Sequence, residues 1–329
     1  MMDIDNITEI IPQPVVLNSI DDSPGPYCMS FGFELNPLIQ SIERVGLINP
    51  PLLKRDPQGN ITIIAGYRRI KALKSLKKNR AGCRVLSGDD IVPIECLLLN
   101  LHDNLAVREF NDVEKGMVLA RLIPWIKPLE IVEYYMPLLG LSSNKATLSS
   151  YLRLEEEMQV QAKESIAKGQ LSLRSAMILL DIDSISRSSI IDLISNLKLT
   201  VNQQRQLVDY TVDLSHIDGK SIPDILDDQS VKKISSDIRM NNPQKGRALI
   251  RYLRMRRYPS VSKAERDFKK MVSRLNLGEM VRIDHPPSFE SPYYRLEVLF
   301  KDGPSLREKL EDFMREDIEI LTDPWKKER

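Results

Sequence analysis

The sequence predicts an α+β chain built in successive parts: a small mixed α/β domain, an all-helical middle domain and a small α+β domain at the end. Three observations carry this. Apolar runs at 51–53 and 61–64 flank Asp56-Pro57-Gln58-Gly59-Asn60, which has the composition of a hairpin turn. From Asn111 to about Leu180 the apolar residues recur at helical spacing. In the tail, strand-like runs at 280–283 and 293–300 lie between two helical patterns.

Taken in order, 7–17 and 91–99 read as strands and join the hairpin in a first domain, 1–105. Residues 22–26, Asp-Ser-Pro-Gly-Pro, form a loop on composition. After Gly66 a helix opens, with Ile70, Leu73 and Leu76 at helical spacing. Asn111 or Asp112 can cap a helix running through Leu122, and Pro124 and Pro128 break the chain before the next one. Between 128 and 154 two helical patterns meet at Leu139-Gly140-Leu141, where Gly140 supplies a positive φ and Ser142 or Ser143 a cap. The middle domain is 106–182. A helical region, 183–258, has loops near Asp218-Gly219 and Asp227-Asp228. The last domain, 259–329, holds a helix at 262–275, the two strands and a helix at 304–315.

Composition sets bounds on function. With 329 residues the chain suits two or three domains, and 42% apolar residues suffice for real cores. Net charge is only +1, so contact with nucleic acid has to come from local patches. Cys28, Cys83 and Cys96 are odd in number and widely spaced, fitting neither a disulfide framework nor a zinc site but buried thiols in a reducing cytoplasm. No apolar run approaches the roughly 18 residues of a membrane span, and Asp3, Asp5 and Glu9 replace the basic start of an export signal.

The stretch 46–72, GLINPPLLKRDPQGNITIIAGYRRIKA, is the most informative. Gly66 lets the backbone come close to a ligand, and the first N–H groups of the following helix lack internal partners. Arg68 and Arg69 add two forked donors at the same point, a geometry suited to phosphate. A solvated arginine pair on an ordinary helix fits the same five residues.

Gly46-Leu47-Ile48-Asn49-Pro50, the turn and Gly66-Tyr67-Arg68-Arg69-Ile70-Lys71-Ala72 together resemble the amino-terminal domain of ParB-type chromosome-partition proteins, where G-L-x-x-P precedes G-E-R-R-x-R-A. A third family motif, acidic-Asn-x-x-Arg, is similar to 103–108, Asp-Asn-Leu-Ala-Val-Arg, and the likeness continues through a helix-turn-helix-like segment to about residue 180. Tyr67 replaces the family's Glu, Lys71 its second Arg and Asp103 a common Glu, and the loop before Arg108 is one residue longer.

The resemblance implies a ParB/sulfiredoxin-like first domain that holds a nucleotide, CTP (or ATP) with Mg2+. Arg68, Arg69, Asn104 and Arg108 would contact phosphates, Asp103 and Asn104 would sit by the metal, and the loop at Gly46 would approach the base, with Gly66 at the phosphate turn. It also implies double-stranded DNA as partner, a homodimer closing on DNA under nucleotide control, a partner ATPase, a location at the nucleoid, and no more than a weak CTPase activity. Sulfiredoxins place a catalytic Cys where this chain has Tyr67, which speaks against reductase chemistry.

For DNA itself, the outer face of the helix after Gly140 offers Lys145, Ser149, Ser150 and Arg153, small polar groups and bases of the kind that approach a groove closely. Further on, 245–274 holds eleven bases against Glu265 and Asp267, a local charge of +9. Arg247, Arg251 and Arg254 fall at i, i+4 and i+7, one stripe of a helix suited to DNA backbone. Solvated helices offset by the acids of 308–317, or an acidic protein partner, fit this cluster too.

His102, His216 and His285 are scattered, and no Walker loop, Gly-x-Ser-x-Gly or paired-cysteine motif is present. Two alternatives stay open. One is a phosphotransferase or nuclease on the same fold, with Asp103, Glu43 or Glu95 as base. The other is a DNA-binding regulator whose nucleotide site has decayed, which Tyr67 and Asp103 keep alive.

Overall fold

The computed structural model describes residues 10–21, 23–87, 91–322 and 325. Residues 7–9 of the first expected strand, and Asp3, Asp5 and Glu9, lie outside them. The chain divides into two compact units, Met1–Arg205 and Gln206–Arg329.

The first unit opens with a four-stranded sheet in the order β1-β4-β2-β3. Strand β1 (Gln13–Val16) runs antiparallel to β4 (Arg80–Ser87), with Gln13 opposite Cys83. Strands β2 (Leu52–Arg55) and β3 (Ile61–Ala65) form the expected hairpin, and β2 lies parallel to β4 with Leu53 opposite Val85. Helix α1 (Asn36–Val45) and helix α2 (Tyr67–Ser75) cover the sheet. Their core with it includes Leu17, Leu53, Ile63, Ile70, Leu73 and Cys83.

Two elements differ from the sequence reading. The 91–99 segment is not a strand: Pro93–Leu105 is a helix, α3, opened by Pro93 in its first turn and by a Glu95 side chain that accepts from the Val92 N–H. Its buried Cys96, Leu97, Asn100 and Leu101 share one helical face. A short apolar run such as 97–99 fits a strand or a buried helix equally well, and here the cap and the length of 13 residues decide. Strand β4 carries no strand signal of its own in the sequence, because Arg80 and Arg84 interrupt its apolar pattern.

After α3 the unit becomes helical. Asn111 caps α4 (Asp112–Leu122), its side-chain Oδ1 accepting from the Glu114 N–H at 3.0 Å. A helical segment, 128–138, contains a π-helical turn, Ile131–Tyr135, and is called α5. Gly140 then takes a φ of 68°. Helix α6 (Lys145–Glu157) is capped by Asn144 and not by Ser142 or Ser143: the Asn144 Oδ1 reaches the N–H groups of Ala146 (2.7 Å) and Thr147 (3.1 Å), which the earlier serines precede by too much. Helices α4 and α6 pack closely: a side chain on Gly116 would meet the Tyr151 carbonyl oxygen at 3.1 Å, and the Tyr151 hydroxyl donates to Asp112 at 3.0 Å. Helices α7 (Val160–Ala167), α8 (Leu173–Leu179) and α9 (Ser184–Leu197) follow. The buried Arg187 of α9 donates to the carbonyls of Glu157, Leu179, Leu180 and Ile182, closing the ends of α6 and α8.

The second unit begins within α10 (Val201–Asp218). It continues through α11 (Ile222–Leu226), α12 (Gln229–Ser236), α13 (Asn242–Arg257) and α14 (Pro259–Arg274). Strands β5 (Val281–Asp284) and β6 (Arg295–Val298) pair antiparallel, and α15 (Gly303–Met314) follows, in the order expected for the tail. Phe268, Ile283 and Phe289 are buried at its centre. No helix among the described residues is long and apolar enough to cross a membrane.

Candidate functional site

Gly66 begins the site. It stands before α2 with φ 94°, and a side chain there would meet Pro51 at 3.0 Å, so the position demands glycine both for conformation and for space. The turn aims the start of α2 into a cavity of about 250 Å³. Gly66, Arg68 and Arg69 line it from one side, and Asp103, Asn104 and Arg108 from the end of α3. Six residues picked from two separate sequence segments thus meet in one place. Gly46 is apart from them: it ends α1 with φ 81°, and Leu38 and Asn49 are the lining residues from that part of the chain.

The arginines are held by a network of short bonds. Arg69 donates to the Asn49 carbonyl oxygen and to Asp103 Oδ2, each at 2.9 Å, tying the 46–50 loop to α3. Arg68 donates from Nη2 to Glu114 Oε1 at 2.6 Å and stacks over Phe33 at 4.5 Å. Arg108 donates from Nη1 to Glu114 Oε2 at 2.6 Å and stacks over Phe110 at 4.5 Å. Its remaining N–H groups reach Asn104 Oδ1, the Met29 and Glu109 carbonyls and Ser30 Oγ, so all five of its donors are in use. Arg68 keeps Nη1 open, and Arg69 keeps Nε open, among the described residues.

Glu114 is the centre of this network and was not singled out by sequence reasoning. It is only 1% exposed and accepts from Phe31 N–H (3.0 Å) and Asn111 N–H (3.1 Å) as well as from both arginines. Burial and the neighbouring Arg108 pull the Arg68 pKa down, against the opposing pull of Glu114. The available signal was local: Asn111 followed three residues later by Glu is a capping box, and here its carboxylate also takes two arginines that line the pocket.

For the metal, Asp103 offers one suitable ligand. Its Oδ1 is open among the described residues, and Mg2+ carried on phosphates asks the protein for only one or two oxygens. Asn104 does not fit that role in this arrangement: its Oδ1 accepts from Arg108 at 2.8 Å, and its amide donates to Asn100. No group of three or more His, Cys, Asp or Glu side chains suited to a metal occurs among the described residues. Of the other carboxylates considered, Glu43 and Glu95 do not line the cavity.

At the helix after Gly140, Lys145 and Ser149 are exposed, and Ser150 is turned back onto the Ala146 carbonyl. Arg153 is tied to Glu157 at 2.8 Å and Asp181 at 3.0 Å, whose bonds push its pKa up. In the second unit, Arg247 and Arg251 of α13 are exposed and have no ion pair among the described residues. Arg254 instead makes a two-pronged bond to Glu265, 2.7 Å on each arm, which raises its pKa and lowers that of Glu265. Arg256 and Arg257 are paired to Asp218 and Asp213. Among the described residues the acids paired to this cluster are Asp213, Asp218, Asp228, Glu265 and Asp267, and none comes from 308–317.

No family model matches the chain. Curated relatives do match, each named a probable chromosome-partitioning protein ParB. The Vibrio cholerae protein is 24% identical over 209 residues, covering 62% of this chain and 66% of the relative. The Campylobacter jejuni protein is 25% identical over 191 residues (56% and 65%), and the Chlamydia muridarum protein 30% over 195 residues (54% and 63%). The chain thus spans just under two thirds of the length of these relatives. Two solved structures of C-terminally truncated ParB from Caulobacter crescentus are also similar. One, complexed with CTP-gamma-S, is 18% identical, covers 55% of this chain and 97% of that one, and has a TM-score of 0.26. The other, complexed to the centromeric parS site, is 17% identical, covers 60% and 98%, and has a TM-score of 0.33. Superpositions at that level establish no correspondence of site residues. Over somewhat more than half of its length, the chain is similar in sequence to ParB-type chromosome-partitioning proteins.

Proposed function

We propose that this protein is a nucleotide-responsive DNA-binding protein of DNA partition or related regulation, in which a nucleoside triphosphate controls closure on DNA. One observation carries the nucleotide part: Gly66, Arg68, Arg69, Asp103, Asn104 and Arg108, far apart in sequence, line a single cavity. At about 250 Å³ the cavity is smaller than the ~300–1,000 Å³ of drug-sized sites, so it would enclose the phosphates and leave the base nearer solvent. CTP with Mg2+ is the ligand that the family resemblance favours over ATP, with Asp103 as the protein's oxygen toward the metal. When bound, the metal would neutralise phosphate charge.

The residues themselves would act in three ways. Arg68 and Arg69 present open donors to phosphate oxygens. Glu114 fixes the Arg68 and Arg108 forks to α4, and α4 is locked to α6 by Tyr151 and Asp112. A ligand that favours one setting of those forks therefore biases α6, whose Lys145 and Ser149 face outward. With Gly140 at the turn between α5 and α6, this pair supports a helix-turn-helix reading; Arg247 and Arg251 would add backbone contacts. Association into a homodimer, action with a partner ATPase and a place at the nucleoid belong to the same proposal.

A second reading has its own observation. The guanidinium groups are already paired to Glu114 and Asp103, as suits a DNA-binding regulator that takes no nucleotide. Anisotropy of a labelled duplex, with and without CTP and Mg2+, separates the two. A change in DNA affinity of fivefold or more on adding CTP is expected for the first, and none for the second.

A further inference from the structure

The serine of the 28–31 loop is bonded in an unusual sense. Ser30 Oγ accepts from Arg68 Nε at 3.2 Å and from Arg108 Nη2 at 3.3 Å. A serine hydroxyl has two lone pairs and one proton, and a guanidinium can only donate. With both lone pairs used, the hydroxyl proton has to point away from both arginines, and no described acceptor takes it. Ser30 is 9% exposed and lines the same cavity as Gly66, Arg68 and Arg69.

The loop that carries it is fixed from several directions. The Met29 carbonyl accepts from Arg108, the Phe31 N–H donates to Glu114, and the Phe31 carbonyl accepts from Asn111. Gly32, at φ 63°, lies so close to α7 that an added side chain would fall 2.4 Å from the Ala167 side chain. Ser30 is thus a buried hydroxyl in a well-anchored loop, its donor left over beside Arg68, whose Nη1 is open, in the cavity that Arg69 also lines.

We propose that Ser30 is a further binding residue of this pocket, donating its hydroxyl proton to a phosphate oxygen of the bound triphosphate. This rests on reading the pocket as a phosphate site. Arg68 Nη1, Arg69 Nε and Ser30 Oγ then form a set of donors with no acceptor among them, which selects a ligand that only accepts. Phosphate oxygens do so, and hydrogen bonds to ionised acceptors are the strong ones.

Calorimetric titration with CTP and Mg2+ on the wild type, Ser30→Ala and Ser30→Thr tests this, with thermal melts alongside to confirm folding. Affinity should fall about tenfold in Ser30→Ala and stay within about threefold of wild type in Ser30→Thr, which keeps the hydroxyl. Wild-type affinity in Ser30→Ala, or equal losses in both variants, would overturn the assignment, because the hydroxyl would then not be what matters. Absence of CTP binding in the wild type would be a different failure, removing the pocket reading and this inference with it.

Discussion

The carboxylate of Glu114 lies 2.6 Å from the guanidinium of Arg108, and the pair joins the first turn of α4 to the loop that follows α3. The same carboxylate takes Arg68 from α2 at 2.6 Å, so one buried charge holds two cations from two segments. Breaking a buried pair by removing one partner leaves uncompensated charge and costs several kcal/mol. Glu114→Gln is expected to lower stability by roughly 3 kcal/mol. Urea unfolding checks this, and a loss below about 1 kcal/mol would mean that the arginines find other partners.

Tyr151 links the helical elements in a gentler way. Its hydroxyl bonds to Asp112 while the ring is 4% exposed, and burial, with Asp112 beside it, raises its pKa. Tyr151→Phe keeps the packing and removes the bond to a charged group, so a loss of about 1.5–3 kcal/mol is expected. In the proposed coupling it should also shrink the effect of CTP on DNA affinity while CTP binding itself persists. Calorimetry beside duplex anisotropy reads both.

The basic helix makes an unequal prediction for residues of one stripe. Arg247→Glu with Arg251→Glu should weaken DNA binding and flatten its salt dependence, each lost phosphate contact reducing the log–log slope by about 0.9. Arg254→Gln should barely change the slope, since Glu265 already holds that side chain. Equal losses from both changes would contradict the assignment.

Alkaline pH should destabilise the first unit. Burial pushes the Cys83 thiol up from 9.0 to about 11 and the Tyr27 phenol from 10.0 to about 12. In the unfolded chain these groups ionise at the lower values, and in the folded chain they stay neutral. Their contribution to stability is fully present below pH 9 and is lost as pH rises through 9 to about 12. Cys83→Ala should flatten the start of that decline, measured as urea midpoints between pH 8 and 11. An unchanged profile would refute it.

Much of this was legible in the residues. The Asp56–Asn60 turn, the Asn111 cap and the tail's helix–strand–strand–helix order rest on local chemistry, and the structure has them. The helix at Pro93–Leu105 was missed because three successive leucines, 97–99, hide its period. Strand β4 depends on partners on both sides, β1 and β2, that its own residues do not announce. At the site, glycine and paired arginines mark themselves, whereas Glu114 and Ser30 look like an ordinary cap and an ordinary loop residue. Their roles come from contacts spanning 38 to 83 residues of sequence, which no local pattern encodes.

The most direct test of the central claim is calorimetric titration of the protein with CTP and with ATP, each with Mg2+, beside the Arg68→Ala, Arg69→Ala double variant. CTP-selective binding that disappears in the double variant is the predicted result. Binding of neither nucleotide, with DNA present or absent, would contradict it and leave a DNA-binding protein whose arginines serve only to hold Glu114 and Asp103.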